Sequence, residues 1–161
     1  MEARPVSRGG AARRERESLP GGPITLDRLD DPIVEGVGEH VTSPYVETFW
    51  LPRLGPSATW MLRLAARLTV DGPVEIDPDV LGRSLGISGP HGAARALARL
   101  VDFYCAVGGH GRWLVRPYLA PLSSRQVEHL PEHLQRLHAD WADDRSTALD
   151  VRAASAVELE S

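Results

Sequence analysis

The chain has 161 residues, a formal net charge of −4 and eighteen arginines but no lysine. Its length fits one ordinary domain with tails. The absence of lysine excludes phosphate-binding loops that end in Gly-Lys-Ser/Thr, kinase-type ATP binding, Schiff-base chemistry and serine-lysine acylation. Codon bias of a GC-rich genome is the simplest explanation for the missing lysine.

Cysteine content and targeting signals predict a soluble cytoplasmic protein. Cys105 is the only cysteine, so no internal disulfide can form, and without an activating base nearby we expect it to be a buried small apolar side chain. Residues 1–22 lack the apolar core of a signal peptide. The most apolar run, residues 58–70, contains two arginines and is too short to cross a bilayer, so no membrane association is expected.

Charge and composition divide the chain into four segments. Residues 1–39 have the glycine, proline and charge content of a disordered tail, with no apolar period. Residues 40–122 form the predicted core domain, and residues 123–144 form a helical extension of it. Residues 145–161 are mostly small or acidic, which predicts a disordered acidic tail.

Two helices are predicted at the start of the core domain. Ser43-Pro44 is typical of an N-cap and a first-turn proline, and Pro52 is expected to end the helix that they begin. Gly55-Pro56 opens a stronger helix whose apolar residues share one face: Ala58, Met61, Leu62, Ala65 and Leu68. Arg63 and Arg67 of this helix are four residues apart, and we expect them to form a solvated face.

A strand and two more helices follow. Residues 74–76 alternate like a short strand, and Asp77-Pro78 caps a helix that stops at Gly86. A last helix follows after a four-residue gap, and it is the third if the count starts at the helix that Gly55 opens. It carries a buried stripe: Ala94, Leu97, Leu100, Val101 and Tyr104.

A hairpin with a glycine-rich tip completes the core domain. Two β-capable runs, residues 104–107 and 113–116, flank Gly108-Gly109-His110-Gly111. Helix, strand, helix, tight turn, helix and hairpin is the order of a winged helix-turn-helix. The predicted fold class is therefore α+β and mostly helical, a winged helix-turn-helix with an added C-terminal helix.

The residues themselves resemble the winged helix-turn-helix superfamily over about residues 45–120. Leu81-Gly-Arg-Ser-Leu85-Gly86-Ile87 resembles the second helix and its turn, and Ala94-x-x-Leu97-x-x-Leu100-Val101 resembles the third helix. A further stretch is similar to winged-helix domains of Gram-positive replication-initiation proteins and to uncharacterised regulator-like proteins of high-GC bacteria. It reads Phe49-Trp50-Leu51-Pro52-x-Leu54-Gly55-x-x-Ala58, followed by Leu62, Leu64 and Leu68.

The resemblance implies duplex DNA as the partner, because the third helix of that superfamily enters the major groove. His91, Arg95 and Arg99 lie opposite the apolar stripe of this helix at intervals of four residues. Arginine can bind guanine bidentately, and residues 80–125 carry six arginines beside one acid, a charge that attracts phosphate. We expect Arg95 and Arg99 to contact bases or phosphates and three further arginines to hold the DNA backbone: Arg83, Arg112 and Arg116. The predicted role is a transcriptional regulator.

The alternative is a winged-helix interaction adaptor that does not bind DNA. Four residues of the third helix offer no polar atoms to base edges: Gly92, Ala93, Ala96 and Ala98. The acidic flanks of the core would also repel a DNA backbone. An adaptor would bind its protein partner through the aromatic segment formed by Tyr45, Phe49 and Trp50, or through a C-terminal seam.

That C-terminal seam is a run of apolar residues spaced three and four apart: Val127, Leu130, Leu134, Leu137 and Trp141. It spans barely two heptads and Pro131 interrupts it, so a long coiled coil is not predicted. The seam is expected to pack on the core domain or, alternatively, to form a homodimer contact. In a dimer, two recognition helices could address half-sites about one DNA turn apart.

Motifs for catalysis and metal binding do not survive inspection. His129-Leu130-Pro131-Glu132-His133 matches the H-x-x-E-H pattern of zinc peptidases. Pro131 favours the first turn of a helix, which leaves His129 outside that helix and separates the two histidines. Gly36-x-Gly38 lacks the third glycine of a dinucleotide fingerprint and predicts a loop. The sequence therefore predicts no catalytic residue, no metal site and no cofactor.

Overall fold

The computed structural model describes residues 21–159. The tails predicted over residues 1–20 and 160–161 lie outside this range. The described residues divide into two compact units, with the boundary between Pro121 and Leu122. The fold is α+β and mostly helical with a small mixed sheet, which confirms the predicted class at this level.

In the described part of the first unit, four strands form the main sheet: β1 (Ile24–Arg28), β3 (Val74–Ile76), β4 (Ala106–Gly109) and β5 (Arg112–Val115). Their order across the sheet is β3, β1, β5, β4. β1 runs antiparallel to β3 and parallel to β5, and β4 runs antiparallel to β5. A separate antiparallel pair is formed by β2 (Glu39–His40) and β6 (Tyr118–Leu119).

β1 lies inside this sheet, although its residues belong to the tail that the sequence predicted to be disordered. Ile24 and Leu26 are completely buried and alternate with more exposed residues, as a strand with one buried face requires. Helix α1 (Pro32–Val37) and β2 follow it. The prediction of disorder is therefore wrong for residues 24–39. Charged and turn-forming neighbours hide the two apolar positions that make this segment part of the core.

The helices of the first unit come in the predicted order. A π-helical segment (Val46–Trp50) leads into α2 (Leu51–Leu54), which is followed by α3 (Pro56–Leu68), α4 (Pro78–Ser84) and α5 (Gly89–Asp102). Ser43 Oγ accepts a hydrogen bond from Val46 N at 3.3 Å, as expected for an N-cap. Pro52 does not end the helix as predicted, because it lies in the first turn of α2, where a missing N–H is tolerated.

α3 and α5 each bury more apolar residues in the core than any other element in the described part of the first unit. Four residues of the stripe predicted on α3 are buried: Ala58, Met61, Leu62 and Ala65. The fifth, Leu68, is partly exposed. The sheet contributes Trp113 and Val115 of β5 beside Ile24 and Leu26 of β1. Together, the buried side chains of the helices and the sheet form the core that holds α3, α4 and α5 in place.

The hairpin of β4 and β5 has a tighter tip than the sequence predicted. Gly108 and Gly109 belong to β4, and the turn consists of His110 and Gly111, whose φ angles are +54° and +89°. Positive φ at both central residues is what a two-residue hairpin loop needs. A Cβ on Gly108 would lie 2.2 Å from the carbonyl oxygen of Arg112, so only glycine allows this pairing.

The second unit contains α6 (Ser124–Val127) and α7 (Glu132–Leu159). Ser123 caps α6 through a reciprocal pair of hydrogen bonds with Gln126. α7 continues through the segment after Asp144, so the predicted disorder is wrong for residues 145–159. The alanines of this segment favour a helix even though they bury little apolar surface. No helix in residues 21–159 has both the length and the apolar composition that a membrane crossing requires.

Leu26→Ala should lower the free energy of unfolding by about 2–4 kcal/mol, because it removes a completely buried side chain from an inner strand. Urea unfolding followed by circular dichroism measures the change. Ile33→Ala is the matched control: Ile33 is 80% exposed, and its loss should cost less than about 0.5 kcal/mol. Equal stability of Leu26→Ala and wild type would show that β1 is not part of the core.

Candidate nucleic-acid interface

α4, the following turn and α5 form a close helix pair. Asp77 caps α4 by accepting hydrogen bonds from the backbone of Asp79 and Val80 at 2.8 and 3.3 Å. A Cβ on Gly82 would lie 2.4 Å from the carbonyl oxygen of Gly89. Only glycine therefore lets α4 approach the start of α5 so closely. Gly82 is the second residue of the stretch from Leu81 to Ile87 that resembles the second helix of a winged helix-turn-helix, and its role in this fold is close helix packing.

Between Gly92 and Leu100, α5 exposes only Arg95 and Arg99, and His91 of the first turn continues this narrow strip. The remaining sides of the helix, from its fourth residue to its twelfth, are buried: Gly92, Ala93, Ala94, Ala96, Leu97, Ala98 and Leu100. The prediction that the three polar residues share one exposed face is confirmed. The small residues pack against neighbouring elements and do not form part of the exposed face.

The strip borders a cleft of about 400 Å³ between α5 and the start of α3. Its lining includes Arg95 and Arg99 from α5, residues 54–58 from the junction of α2 and α3, and the turn residues Ile87 and Ser88. Two guanidinium groups therefore line a concave surface. This shape favours a narrow anionic group that enters the cleft.

Arg95 is the cation of this cleft whose charge remains available. It is exposed and makes no hydrogen bond, ion pair or ring contact within the described part of the chain. His91, one turn earlier on the same strip, likewise has no partner among the described residues. A guanidinium without a carboxylate partner keeps its donors free for a ligand.

Arg99 has a structural role instead. Its Nε and Nη2 atoms donate hydrogen bonds to the carbonyl oxygens of Leu54 and Arg53, the second at 2.7 Å, at the C-terminal end of α2. The guanidinium also lies 4.9 Å from the ring centre of Phe103. These contacts satisfy carbonyl groups at the end of α2 and fix the wall of the cleft, and they use two of the five guanidinium N–H groups of Arg99.

The first turn of α3 adds unpaired N–H groups to the cleft wall. The N-cap is Gly55, which has no side chain to cap the helix, and the first intrahelical bond runs from Thr59 N to Gly55 O at 3.1 Å. The amides of Ser57 and Ala58 have no acceptor among the described residues. Unpaired amides and the helix dipole make this end of α3 electropositive.

The other three arginines predicted to hold DNA are paired with carboxylates: Arg83 with Asp79 at 2.9 Å, Arg112 with Asp27 at 3.0 Å and Arg116 with Asp31 at 2.8 Å. The Arg112 side chain remains 60% exposed, whereas that of Arg116 is only 24% exposed. Two of the partner acids come from the segment that was predicted to be disordered. Half of the six arginines in residues 80–125 are therefore compensated by carboxylates in the fold.

Asp31 connects α1 to the base of the hairpin. Its Oδ1 accepts hydrogen bonds from the backbone of Ile33 and Val34, and its Oδ2 pairs with Arg116. The hydrogen bond from Arg116 is the main cause that lowers the pKa of Asp31 below its usual value, followed by the bond from Val34 N. Arg116 also donates to the carbonyl oxygen of Tyr104, which has a φ of +58°.

Cys105 is buried, as predicted from its sequence context. Its side chain lies at the start of the hairpin and is almost completely covered. Burial raises the pKa of the thiol to about 12. The group therefore stays protonated at neutral pH, which is typical of a packing residue.

The predicted aromatic docking segment is wrong. Tyr45, Phe49 and Trp50 are only 4–7% exposed, and Trp50 Nε1 donates to the carbonyl oxygen of Ala120 at 3.2 Å. Their helical spacing is equally typical of a buried face and an exposed one. The π-helical segment turns all three aromatic rings inward, so none of them forms an exposed surface.

The predicted C-terminal seam is also broken. Val127 ends α6 and Leu130 lies between the two helices, so the spacing of three and four does not follow one helix. Leu134, Leu137 and Trp141 share α7, and Leu137 is 49% exposed. His129 lies before α7 and His133 lies within it, so the H-x-x-E-H string does not share one helix, as predicted. No three His, Cys, Asp or Glu side chains between residues 21 and 159 come together in the manner of a metal site.

Trp60 is an exposed aromatic residue that the sequence reasoning passed over. It lies on the polar side of α3 and is 57% exposed, with the guanidinium of Arg63 5.0 Å from its ring centre. The available signal was an aromatic residue placed off the apolar stripe and followed by arginines three and seven positions later. Arg67 is exposed as predicted, whereas the Arg63 side chain is only 16% exposed, so the prediction of a solvated face is wrong for Arg63.

Comparisons with protein-family models, with curated proteins and with solved structures found no match.

Asp31→Asn should be less stable than wild type at pH 7, and the difference should shrink at low pH. Because the folded pKa of Asp31 is lowered, its ionised form stabilises the fold above its unfolded pKa of about 3.9, and this contribution is lost as the pH falls through the lower, folded value. Urea unfolding at pH 7 and near pH 2 measures both differences.

Asp71→Asn is the control, because Asp71 is exposed and has no partner in residues 21–159. It should leave the pH dependence of stability unchanged. An Asp31→Asn penalty of the same size at both pH values would contradict the ionic pairing with Arg116.

Proposed function

We propose that α3 to β5 form a winged helix-turn-helix module that binds duplex DNA, with Arg95 and the cleft as its main phosphate contact. The order of elements supports the module: α3, β3, α4, a tight turn, α5 and a two-stranded hairpin. β3 and β5 run in opposite directions within one sheet, with β1 between them. The hairpin would take the position of the wing.

The observation that carries the proposal is the unpaired Arg95 at the mouth of an electropositive cleft. Its guanidinium lies with that of Arg99 on one wall, and the uncapped start of α3 forms another. A backbone phosphate is an anion that fits between donors of this kind, since helix N-termini and arginines both bind phosphate. The narrow strip offers few base contacts, so binding would depend mainly on phosphate.

The other residues predicted to contact DNA have different roles in this proposal. His91 lies on the strip near the start of α5, where it would approach the DNA beside Arg95. Arg83 and Arg112 are exposed, and they would contact phosphate by exchanging Asp79 and Asp27 for the DNA backbone. Arg99 and Arg116 would support the surface without reading it. The proposed role is that of a cytoplasmic transcriptional regulator without a cofactor.

Arg95→Ala should weaken binding to a random-sequence duplex by about tenfold or more, because it removes the unpaired guanidinium. Fluorescence anisotropy of a labelled duplex of about 20 base pairs in about 50 mM salt measures the affinity, with an expected wild-type Kd in the range of about 1–100 µM for non-specific binding.

Arg136→Ala is the matched control, because Arg136 is an exposed arginine of α7 that pairs with Glu132 at 2.6 Å. It should change the affinity less than about twofold, and circular dichroism should show both variants to be folded. Absence of any wild-type binding at low salt would refute the proposal, and so would full binding by Arg95→Ala.

A further inference from the structure

The outer face of α3 forms a second groove, separate from the cleft that holds Arg95. It has a volume of about 350 Å³ and is lined by Thr42, Trp60, Arg63, Leu64, Arg67, Ser84 and Leu85. Trp60 is 57% exposed, which leaves a large aromatic ring in water. Tryptophan and arginine are the residue types that carry most binding energy at protein interfaces.

The charge of this groove is not balanced within the described chain. Arg67 is exposed and has no partner in residues 21–159. Arg63 stacks on Trp60, donates to the carbonyl oxygen of Thr42 at 3.1 Å and lies 3.5 Å from Glu47, which is itself 62% exposed. The groove therefore joins an apolar floor to a positive rim and suits an acidic, partly apolar segment.

One face of α7 has this composition. Its residues are spaced three or four apart and so share one side of the helix: Leu137, Asp140, Asp144, Ala148 and Val151. Leu137 and Val151 are 49% and 61% exposed. Asp140 and Asp144 are exposed and have no partner in the described part of the chain. We call this set the acidic face of α7.

The spacing of charges on the two surfaces matches. Arg63 and Arg67 are four residues apart on α3, and Asp140 and Asp144 are four residues apart on α7, so each pair spans about 6 Å along its helix. In a parallel alignment of the two helices, Arg63 faces Asp140 and Arg67 faces Asp144. Leu137 then lies opposite Trp60, because each precedes the first charged residue of its pair by three positions. Charge and apolar surface are therefore complementary at the same time.

We propose that the acidic face of α7 from one copy of the chain binds the Trp60 groove of a second copy. Trp60 and Arg67 of the groove and the acidic face of α7 are exposed, so a second copy can reach both surfaces. If each copy places the acidic face of its α7 in the groove of the other around a twofold axis, both surfaces of both copies are covered and the assembly closes as a dimer. This inference does not depend on DNA binding.

Sedimentation equilibrium of the full chain between about 5 and 500 µM tests the dimer, and its dissociation constant should rise with salt as charge pairs are screened. Asp144→Arg and Arg67→Glu should each raise the dissociation constant by about tenfold or more, because each places like charges together. The double variant Arg67→Glu with Asp144→Arg should restore most of the affinity.

Asp150→Arg is the control, because Asp150 lies about 120° around α7 from Asp144, off the acidic face, and undergoes the same charge change as Asp144→Arg. It should leave the dissociation constant within about twofold of wild type. A chain that remains monomeric throughout the concentration range would overturn the proposal. A dimer unaffected by the single variants, or not restored by the double variant, would overturn it as well.

Discussion

Insertion of β1 between β3 and β5 is the constraint on which the rest of the structure depends. Two completely buried side chains, Ile24 and Leu26, join the two halves of the sheet and cover the core beneath it. The same segment brings Asp27 and Asp31 to the hairpin, where they pair with Arg112 and Arg116. One short strand thus completes the sheet and sets the charge of the surface beside it.

The pairing redistributes the positive charge of the chain. Residues 21–121 carry nine arginines and eleven acids, so the first unit has no overall basic character. Carboxylates compensate Arg83, Arg112 and Arg116, and the guanidinium groups of Arg53 and Arg99 lie over the ring of Phe103. Among the arginines of residues 21–121, those without any partner in the described chain are therefore Arg95 and Arg67. The two proposed sites occupy these two positions, one suited to phosphate and the other to an acidic helix.

Local signals in the sequence predict the helices well and the sheet less well. The helix cap at Asp77 and the apolar stripes of α3 and α5 each depend on residues that are close together in the sequence, so they could be predicted from the sequence. The pairing of Arg112 with Asp27 joins residues 85 positions apart and depends on a strand whose alternation covers only two apolar residues. Spacing alone likewise could not show whether Phe49 faces inward or Trp60 outward.

The salt dependence of DNA affinity is the most direct test of the central claim. The claim is that, with β1 and its neighbours in place, Arg95 is the main free cation of the α4–α5 helix pair. Each phosphate that a protein contacts contributes about −0.9 to the slope of log K against log salt. Two or three contacts per protomer predict a slope of about −2 to −3. The five arginines and one histidine of the interface predicted from the sequence would give a slope of about −5 if all of them contacted phosphate. A slope of about −5 or steeper would therefore contradict the account.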